Sequence, residues 1–222
     1  AILNKYPHKK VFISSNKLSI EQVLWAQNTL LSQEKCIVND GKIRIGYFSG
    51  SHSHNNDFNV IAPILAEIMS ENNNVILMIA GFLNIGKYFG SLSDQIEYYD
   101  FVPMRKLPQL ILRSDINIAP LEIDNPFCQA KSAIKFFEAG LLKVPTVATA
   151  TEPFKSEITN GEDGLLANDN NDWKNHLMFL IQNEKERLLM GENAYNTTHQ
   201  KHVIQNIEEP SELVEFIKSR LR

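Results

Sequence analysis

The sequence predicts an α/β fold in which helices cover both faces of a doubly wound parallel β-sheet. The first observation behind this fold class is that short β-branched runs alternate with segments of helical periodicity. The second is the run NVILMIAG at residues 74–81, which is continuously apolar and ends in glycine, as expected of a strand buried on both faces. Together these patterns place the start of the domain near residue 40.

Each predicted strand is a short apolar run that ends before a polar or glycine-containing segment. The strands of the sheet are predicted at residues 42–48, 74–81, 95–103, 115–121 and 144–150, with a brief further strand after a turn in 160–167. Another strand is predicted ahead of the sheet, at residues 11–15.

The predicted helices follow from apolar residues that recur with a helical period and from polar residues that cap the first turn. They cover residues 19–35, with a capping box of Ser19 and Gln22; 57–72, with Asp57 as N-cap; 104–114; and a segment that opens near Lys131 and runs toward Pro145. Two or three polar, amphipathic helices are predicted over residues 171–222.

Composition narrows the class of protein. Of the 222 residues, 43% are hydrophobic and 22% are charged, as in ordinary soluble globular proteins, and no apolar run approaches the roughly 20 residues that span a bilayer. The N-terminus lacks the pattern of a signal peptide, and a net charge of −4 predicts no nucleic-acid partner. Two cysteines are too few for a disulfide framework, so we expect a reducing cytoplasm.

The loop after the first central strand, SGSHSHNND at residues 49–57, is rich in small polar donors. Ligands of open parallel sheets bind beyond the carboxyl ends of the strands, and a glycine-containing loop ahead of a helix suits an anion such as phosphate. The predicted binding residues here are Gly50, Ser51, His52, His54 and Asn55. A solvated loop capped by Asp57 is the alternative. A metal site of His52, His54 and Asp57 lacks a further ligand, so we expect no metal.

The segment AKSAIKFFEAG carries a lysine and a glutamate seven residues apart. On one helix, Lys131 and Glu138 would share a face, separated by about 10 Å along the axis. A phosphate at the helix start would meet free N–H groups and the Lys131 ammonium, while the Glu138 carboxylate can accept hydrogen bonds from two vicinal hydroxyls. This spacing fits a diphosphate joined to a ribose. The alternative is a solvated stripe in which Glu138 pairs with Lys131 or Lys135.

A third loop, DFVP at residues 100–103, offers backbone groups to a planar base, against which Phe101 or Val102 would pack. By itself it is also an ordinary turn. The sequence shows no Ser/His/Asp order, GxSxG elbow, Walker loop or CxxC, and its first loop is not a GxGxxG fingerprint, so a nicotinamide dehydrogenase is not expected.

Four segments in order resemble one known family: KIRIGYFSGSHSHNNDF, DFVP…LPQLILRSDINIAPLE, NPFCQAKSAIKFFEAGLLKVPTVAT and EITNGEDGLLA. They look like the Rossmann-like, donor-binding C-terminal domain of a GT-B retaining glycosyltransferase, of the family 4-like, group 1 kind. The resemblance implies that Glu138 holds the ribose hydroxyls and that Lys131 and Ser132 meet the diphosphate. It also implies that the first loop lies near the phosphates and the sugar, and that Phe101 and Val102 lie at the base.

The resemblance implies a division of the chain into three parts. Residues 1–40 would be the inter-domain connection and a remnant of the N-terminal half, residues 41–200 the nucleotide-sugar donor-binding domain, and residues 201–222 a C-terminal helix. The acceptor domain of such enzymes is not in this chain, so we expect the isolated domain to be inactive.

The implied function is that of a hexosyltransferase. It would transfer a sugar from a nucleotide-diphosphate donor to a glycan or lipid-linked acceptor, with retention by front-face displacement and without a metal or other cofactor. We expect a role in bacterial surface polysaccharide synthesis, in the cytoplasm, with peripheral association of the full protein at the inner face of the membrane.

The sequence departs from the family at three places. Ala130 stands where many members have a second glutamate, eight positions before the ribose glutamate. The first loop lacks the arginine and lysine that usually neutralise the diphosphate, a role that Lys131 would partly take. Lys143 stands where a small residue is common. Two alternatives stay open: a sugar-nucleotide epimerase of the same two-domain architecture, whose catalytic carboxylates cannot be placed in this chain, and a non-catalytic α/β binding module, which Ala130 and the missing basic pair favour. A response-regulator receiver is less favoured because its acidic pair is absent.

Overall fold

The computed structural model describes residues 7–10, 12, 16–32, 40–50, 55–203 and 211–220. Its sheet has six strands: β1 (Ile43–Ser49), β2 (Val75–Gly81), β3 (Ile96–Tyr99), β4 (Ile116–Ala119), β5 (Thr146–Thr149) and β6 (Leu165–Ala167). All neighbouring strands are parallel, and their order is β3-β2-β1-β4-β5-β6. The predicted fold class and each predicted strand of the sheet are therefore confirmed.

Helices connect the strands and close the chain. They are α1 (Ile20–Leu31), α2 (Asn55–Asn59), α3 (Ala62–Glu71), α4 (Leu107–Ile111), α5 (Ile134–Gly140), α6 (Glu152–Glu157), α7 (Asn170–Gln182), α8 (Glu184–Lys201) and α9 (Ser211–Arg220). Three 3₁₀ segments also lie in the described part of the chain, at Gly86–Gln95, Met104–Lys106 and Cys128–Ala130. Within the described residues, no helix is long and apolar enough to cross a membrane.

The chain order of the strands reverses direction at the centre of the sheet. β1 pairs with β2 along its whole length on one side and with β4 on the other. In doubly wound sheets this switch point opens a crevice beyond the carboxyl ends of the central strands. The fold therefore directs attention to the residues that follow β1, β2 and β4.

The core lies on both faces of the sheet, as the continuous apolar strands require. Ile45, Tyr47, Leu77 and Ile79 belong to a cluster with residues of α3 and α7, including Trp173. Residues of alternate register pack on the other face: Phe48, Met78 and Ala80 join Phe136 and Phe137 of α5. Because α5 sits directly over the central strands, its side chains reach the switch point.

Local boundaries differ from the sequence predictions in two places that matter for the site. The helix predicted over 57–72 is divided into α2 and α3, so Asp57 lies inside α2 and does not cap a long helix. The helix predicted to open near Lys131 begins at Ile134, and Lys131 has an extended backbone with φ −71° and ψ 152°. The prediction that Lys131 and Glu138 share one helical face is therefore wrong.

The chain ahead of the sheet is tied to the end of α8. Ser19 and Gln22 form the predicted capping box of α1. Leu18 forms an isolated parallel bridge with Val203, and its N–H donates to the carbonyl of His202. The strand predicted over 11–15 falls almost wholly outside the described residues, and the division at residues 40 and 200 stays a prediction.

Candidate functional site

A cavity of ≈ 390 Å³ opens beyond the carboxyl ends of β1 and β2. It is lined by Phe48, Ser49, Gly50, Ala80, Gly81, Phe101, Val102, Met104, Leu107, Ile134, Lys135 and Glu138. Four of the predicted binding residues come together here, namely Gly50, Phe101, Val102 and Glu138. A volume of this size is typical of small-molecule sites.

Gly81 shapes the floor of this cavity. Its φ of 91° lies in the left-handed region that favours glycine, and a Cβ there would collide with the carbonyl oxygen of Ser49. The hydroxyl of Ser49 in turn donates to the carbonyl of Phe82 at 2.7 Å. The ends of β1 and β2 are thus held at a separation that only a glycine allows.

One lining residue of the cavity, Phe101, belongs to a pair of aromatic rings. Phe82 and Phe101 stack with ring centroids 5.5 Å apart and an interplanar angle of 19°. They remain 43% and 55% exposed. An apolar, flat surface of this kind can pack against a planar base, the role predicted from the sequence for Phe101 and Val102.

Glu138 lies on the cavity wall, in the middle of α5, and is half-buried. Burial raises the pKa of its carboxyl to about 7, while the nearby Lys135 ammonium acts in the opposite direction. In the described part of the chain its carboxylate accepts no hydrogen bond. Its oxygens are therefore available to the hydroxyls of a ligand in the cavity.

Lys135 was not among the predicted site residues. Its ammonium donates to the carbonyl of Phe48 at 2.6 Å and lies 4.1 Å from the ring centroid of Tyr47. Burial lowers the pKa of Lys135 to about 8, although Glu138 and Asp57 favour its charged form. The sequence does place Lys135 one helical turn before Glu138, but this spacing by itself indicates only a solvated ion pair on the helix surface.

Lys131 has a protein partner. Its ammonium lies 2.6 Å from a carboxylate oxygen of Asp57, whose side chain is buried. The other oxygen of Asp57 accepts a contact from the Cys128 thiol at 3.5 Å. The binding role predicted for Lys131 stays a prediction, but its charge is already balanced within the protein.

Ser132 joins the start of α5 to the segment ahead of the sheet. Its hydroxyl oxygen accepts hydrogen bonds from the N–H of Ile134 at 3.2 Å and from the Asn16 amide at 3.1 Å. Lys131, Ser132 and Asn16 line a second cavity of ≈ 240 Å³, which shares Ile134 and Lys135 with the first. Asn16 was missed because its partner Ser132 lies 116 residues later in the sequence.

The remaining predicted loop residues are only partly described. Ser51, His52 and His54 lie outside the described residues. Asn55 begins α2 and accepts a hydrogen bond from the N–H of Asn84 at 3.0 Å, so it links the loops after β1 and β2.

One cluster of described residues has metal-binding side chains at short range. One ligand atom from each of Asp57, Glu122 and Cys128 lies within 4.8 Å of the others. The Lys131 ammonium, however, already places a positive charge on Asp57. The cluster therefore offers a cation little net negative charge, and the expectation of a metal-free site stays a prediction.

Comparisons with known proteins place this geometry in context. The sequence matches the family described as glycosyl transferases group 1 over residues 38–197. The comparison with curated proteins found no match. Among solved structures, the C-terminal domain of a glycosyl transferase group 1 family protein, LpcC from Francisella tularensis, has a TM-score of 0.60 at 18% identity. That alignment covers 80% of this chain and 93% of the LpcC domain.

Two further solved structures contain nucleotide. HepE (Alr3699) from Anabaena, in complex with UDP and glucose, has a TM-score of 0.65 at 16% identity, and 95% of this chain covers 56% of HepE. A mutant of TarM from S. aureus, in complex with fondaparinux, alpha-GlcNAc-glycerol and UDP, has a TM-score of 0.68 at 16% identity. That alignment covers 98% of this chain and 41% of TarM. At these identities the likeness shows a shared fold, over about half the length of those two proteins.

Proposed function

This chain belongs to the glycosyl transferases group 1 family, and we propose that it binds the nucleotide-diphosphate sugar donor of a glycosyltransferase. HepE and TarM, which share its fold, have been solved with UDP. The donor would lie across the carboxyl ends of β1, β2 and β4, where doubly wound sheets bind their ligands.

The observation that carries this proposal is the position of Glu138. Its half-buried carboxylate lies on a largely apolar cavity, which Phe101 and Val102 also line. A carboxylate with free acceptor positions suits two vicinal ribose hydroxyls, and an apolar wall suits a base. Glu138 would thus hold the ribose while the base packs near Phe101 and Val102.

The diphosphate would lie where the first cavity meets the second, near Gly50, Lys131, Ser132 and the residues of the first loop. Transfer would form a bond from an acceptor hydroxyl oxygen to the anomeric carbon as the bond from that carbon to the diphosphate oxygen breaks. The bonding electron pair would leave with the diphosphate, which would take the hydroxyl proton. A cationic side chain at the diphosphate would stabilise this developing charge without a metal.

The full enzyme would be a retaining hexosyltransferase that acts on a glycan or lipid-linked acceptor in bacterial surface polysaccharide synthesis. The acceptor would be held by a further domain, and this chain alone would bind donor with little or no turnover. Work at the inner face of the cytoplasmic membrane would fit a lipid-linked acceptor.

Calorimetry of this chain with UDP, GDP, dTDP and ADP, and with their sugar derivatives, tests the proposal. We expect one base to bind and to stabilise the fold as a ligand of the native state does. Glu138→Ala should weaken that binding at least tenfold, while the exposed Glu186→Ala serves as a matched control with unchanged affinity. Absence of binding at millimolar concentration for every nucleotide would overturn the proposal in favour of a module without donor.

A further inference from the structure

We propose that Lys135, rather than Lys131, is the cationic residue that contacts the diphosphate of the donor. This inference rests on the proposed function and names the charge on which that site depends. It concerns a side chain that lies one helical turn from Glu138, on the cavity side of α5.

The first argument is the place of Lys135 between the two cavities. It lines both the ≈ 390 Å³ cavity that holds Glu138 and the ≈ 240 Å³ cavity that holds Ser132. A donor whose ribose lies at Glu138 and whose sugar lies in the second cavity must pass its diphosphate along Lys135. The ammonium is fixed there by its hydrogen bond to the carbonyl of Phe48, at the end of β1.

The second argument is the balance of charge around the two lysines. Lys131 forms a 2.6 Å ion pair with the buried carboxylate of Asp57, so the pair carries no net charge toward a ligand. Lys135 makes its close polar contact with a neutral carbonyl oxygen, and two of its three N–H bonds remain for other acceptors. Lys135 therefore offers the phosphates an ammonium that is not held in a close ion pair, although the Glu138 and Asp57 carboxylates act on it from farther away.

The third argument is the poor solvation of this ammonium. It is covered by the Tyr47 ring, and burial lowers the pKa of Lys135 to about 8, where a free lysine titrates near 10.5. The charged groups that face it are Asp57 and Glu138, which favour its protonated form, and Lys131, which opposes it. An incoming diphosphate supplies the missing negative charge, and in a site of low dielectric its attraction is stronger than in water.

The first experiment compares a nucleoside with its diphosphate by calorimetry at pH 7, for the base that binds. The affinity ratio of diphosphate to nucleoside isolates the phosphate contribution from the ribose contribution. We expect Lys135→Met to lower that ratio at least tenfold and Lys135→Arg to retain most of it. The comparison is Lys131→Met combined with Asp57→Asn, which removes the other lysine together with its partner. The control is Lys155→Met, which removes a half-exposed lysine outside both cavities and should keep the ratio within about threefold.

The outcomes separate this inference from the proposed function. If wild type binds the diphosphate but Lys135→Met keeps the ratio, or if only the Lys131 variant loses it, the inference is overturned and the function stands. If wild type binds no nucleotide, both are overturned.

A second measurement needs no variant. At pH 8.5 most Lys135 side chains are neutral, so diphosphate binding should take up on the order of half a proton per site. Calorimetry in two buffers of different ionisation enthalpy measures this uptake, and the nucleoside should cause none. Equal uptake with nucleoside and diphosphate would overturn the inference.

Discussion

The ammonium of Lys131 lies 2.6 Å from the carboxylate of Asp57, across 74 residues of sequence. Asp57 is only 2% exposed and sits in the short helix that follows β1, while Lys131 immediately precedes the segment that leads into α5. The pair therefore joins the loop after β1 to the approach of α5, the two segments that border the candidate site. The Lys131–Asp57 ion pair thus links two parts of the structure, and it involves the lysine for which the sequence predicted a contact with the diphosphate.

We expect Lys131→Met to destabilise the fold by about 3 kcal/mol, because it leaves a buried carboxylate without its partner. Adding Asp57→Asn should recover more than half of that loss, since the uncompensated charge is then gone. Urea denaturation of both single variants and the double variant measures the coupling. A single variant as stable as wild type would mean that the pair does not hold the two segments together.

Glu138 should make nucleoside affinity depend on pH. Its raised pKa, about 7, means that most of the carboxyl is protonated at pH 6 and ionised at pH 8. Because the ionised form accepts from both ribose hydroxyls, affinity should rise roughly five- to tenfold from pH 6 to pH 8. Titration with the nucleoside avoids ionisation of phosphate, and Glu138→Gln should show a flat profile. A wild-type profile as flat as that of the variant would remove Glu138 from the ribose contact.

The same raised pKa affects folding, with a definite sign. The native state holds a proton on Glu138 more tightly than the unfolded state, whose carboxyl titrates near 4.5. Ionisation of Glu138 therefore costs stability above pH 7, and this cost disappears as the pH falls toward 4.5. The difference in stability between Glu138→Gln and wild type should therefore favour the variant more at pH 8 than at pH 5. Thermal unfolding of both proteins at both pH values measures this difference. The opposite order would contradict the assigned burial.

Gly81→Ala should destabilise the fold by more than about 2 kcal/mol, since its φ of 91° is unfavourable for alanine and the new methyl group meets the Ser49 carbonyl. It should also weaken nucleotide binding, because the ends of β1 and β2 must separate. Gly90→Ala is the control, because a Cβ there has open space, and its effect should stay within about 0.5 kcal/mol. Equal effects of the two substitutions would show that the close approach at Gly81 is not required.

Lys143 ends α5 in the left-handed conformation, with φ 60°. The N–H of Val144 donates to the carbonyl of Ala139 and that of Lys143 to Gly140, the two bonds of a Schellman motif. Since alanine pays the left-handed cost and glycine does not, Lys143→Gly should be about 1 kcal/mol more stable than Lys143→Ala. Both variants lack the Lys143–Glu192 ion pair, so its loss cancels when their stabilities are compared by chemical denaturation. Identical midpoints would argue against strain at this helix exit.

The sheet could be predicted from the sequence because its strands are marked locally. The run that forms β2 is buried on both faces, so nearly every residue in it is apolar. β1 is buried along most of its length, although it includes Arg44 and Ser49. For a related reason, the sequence could predict that four residues lie in one site, namely Gly50, Phe101, Val102 and Glu138. The carboxyl ends of parallel strands meet at one edge of a sheet, whatever the exact helix boundaries are.

The start of α5 could not be predicted, because its determinant is not local. Ala130, Lys131 and Ser132 are compatible with a continuous helix, but the chain is extended at Lys131, where Lys131 pairs with Asp57 and the next residue, Ser132, pairs with Asn16. The importance of Lys135 was missed for the same reason, since its partner is a backbone carbonyl on β1. In contrast, the departure at Lys143 was visible in sequence, and the structure keeps a left-handed exit there despite the lysine.

A crystal structure of this chain with the nucleoside diphosphate that binds it best is the most direct test of the central claim. The account predicts a ribose whose two hydroxyls lie roughly 3 Å from the Glu138 carboxylate, with the base near Phe101 and Val102 at the ends of β1 and β2. A nucleotide bound elsewhere on the chain, with Glu138 apart from it, would contradict the account.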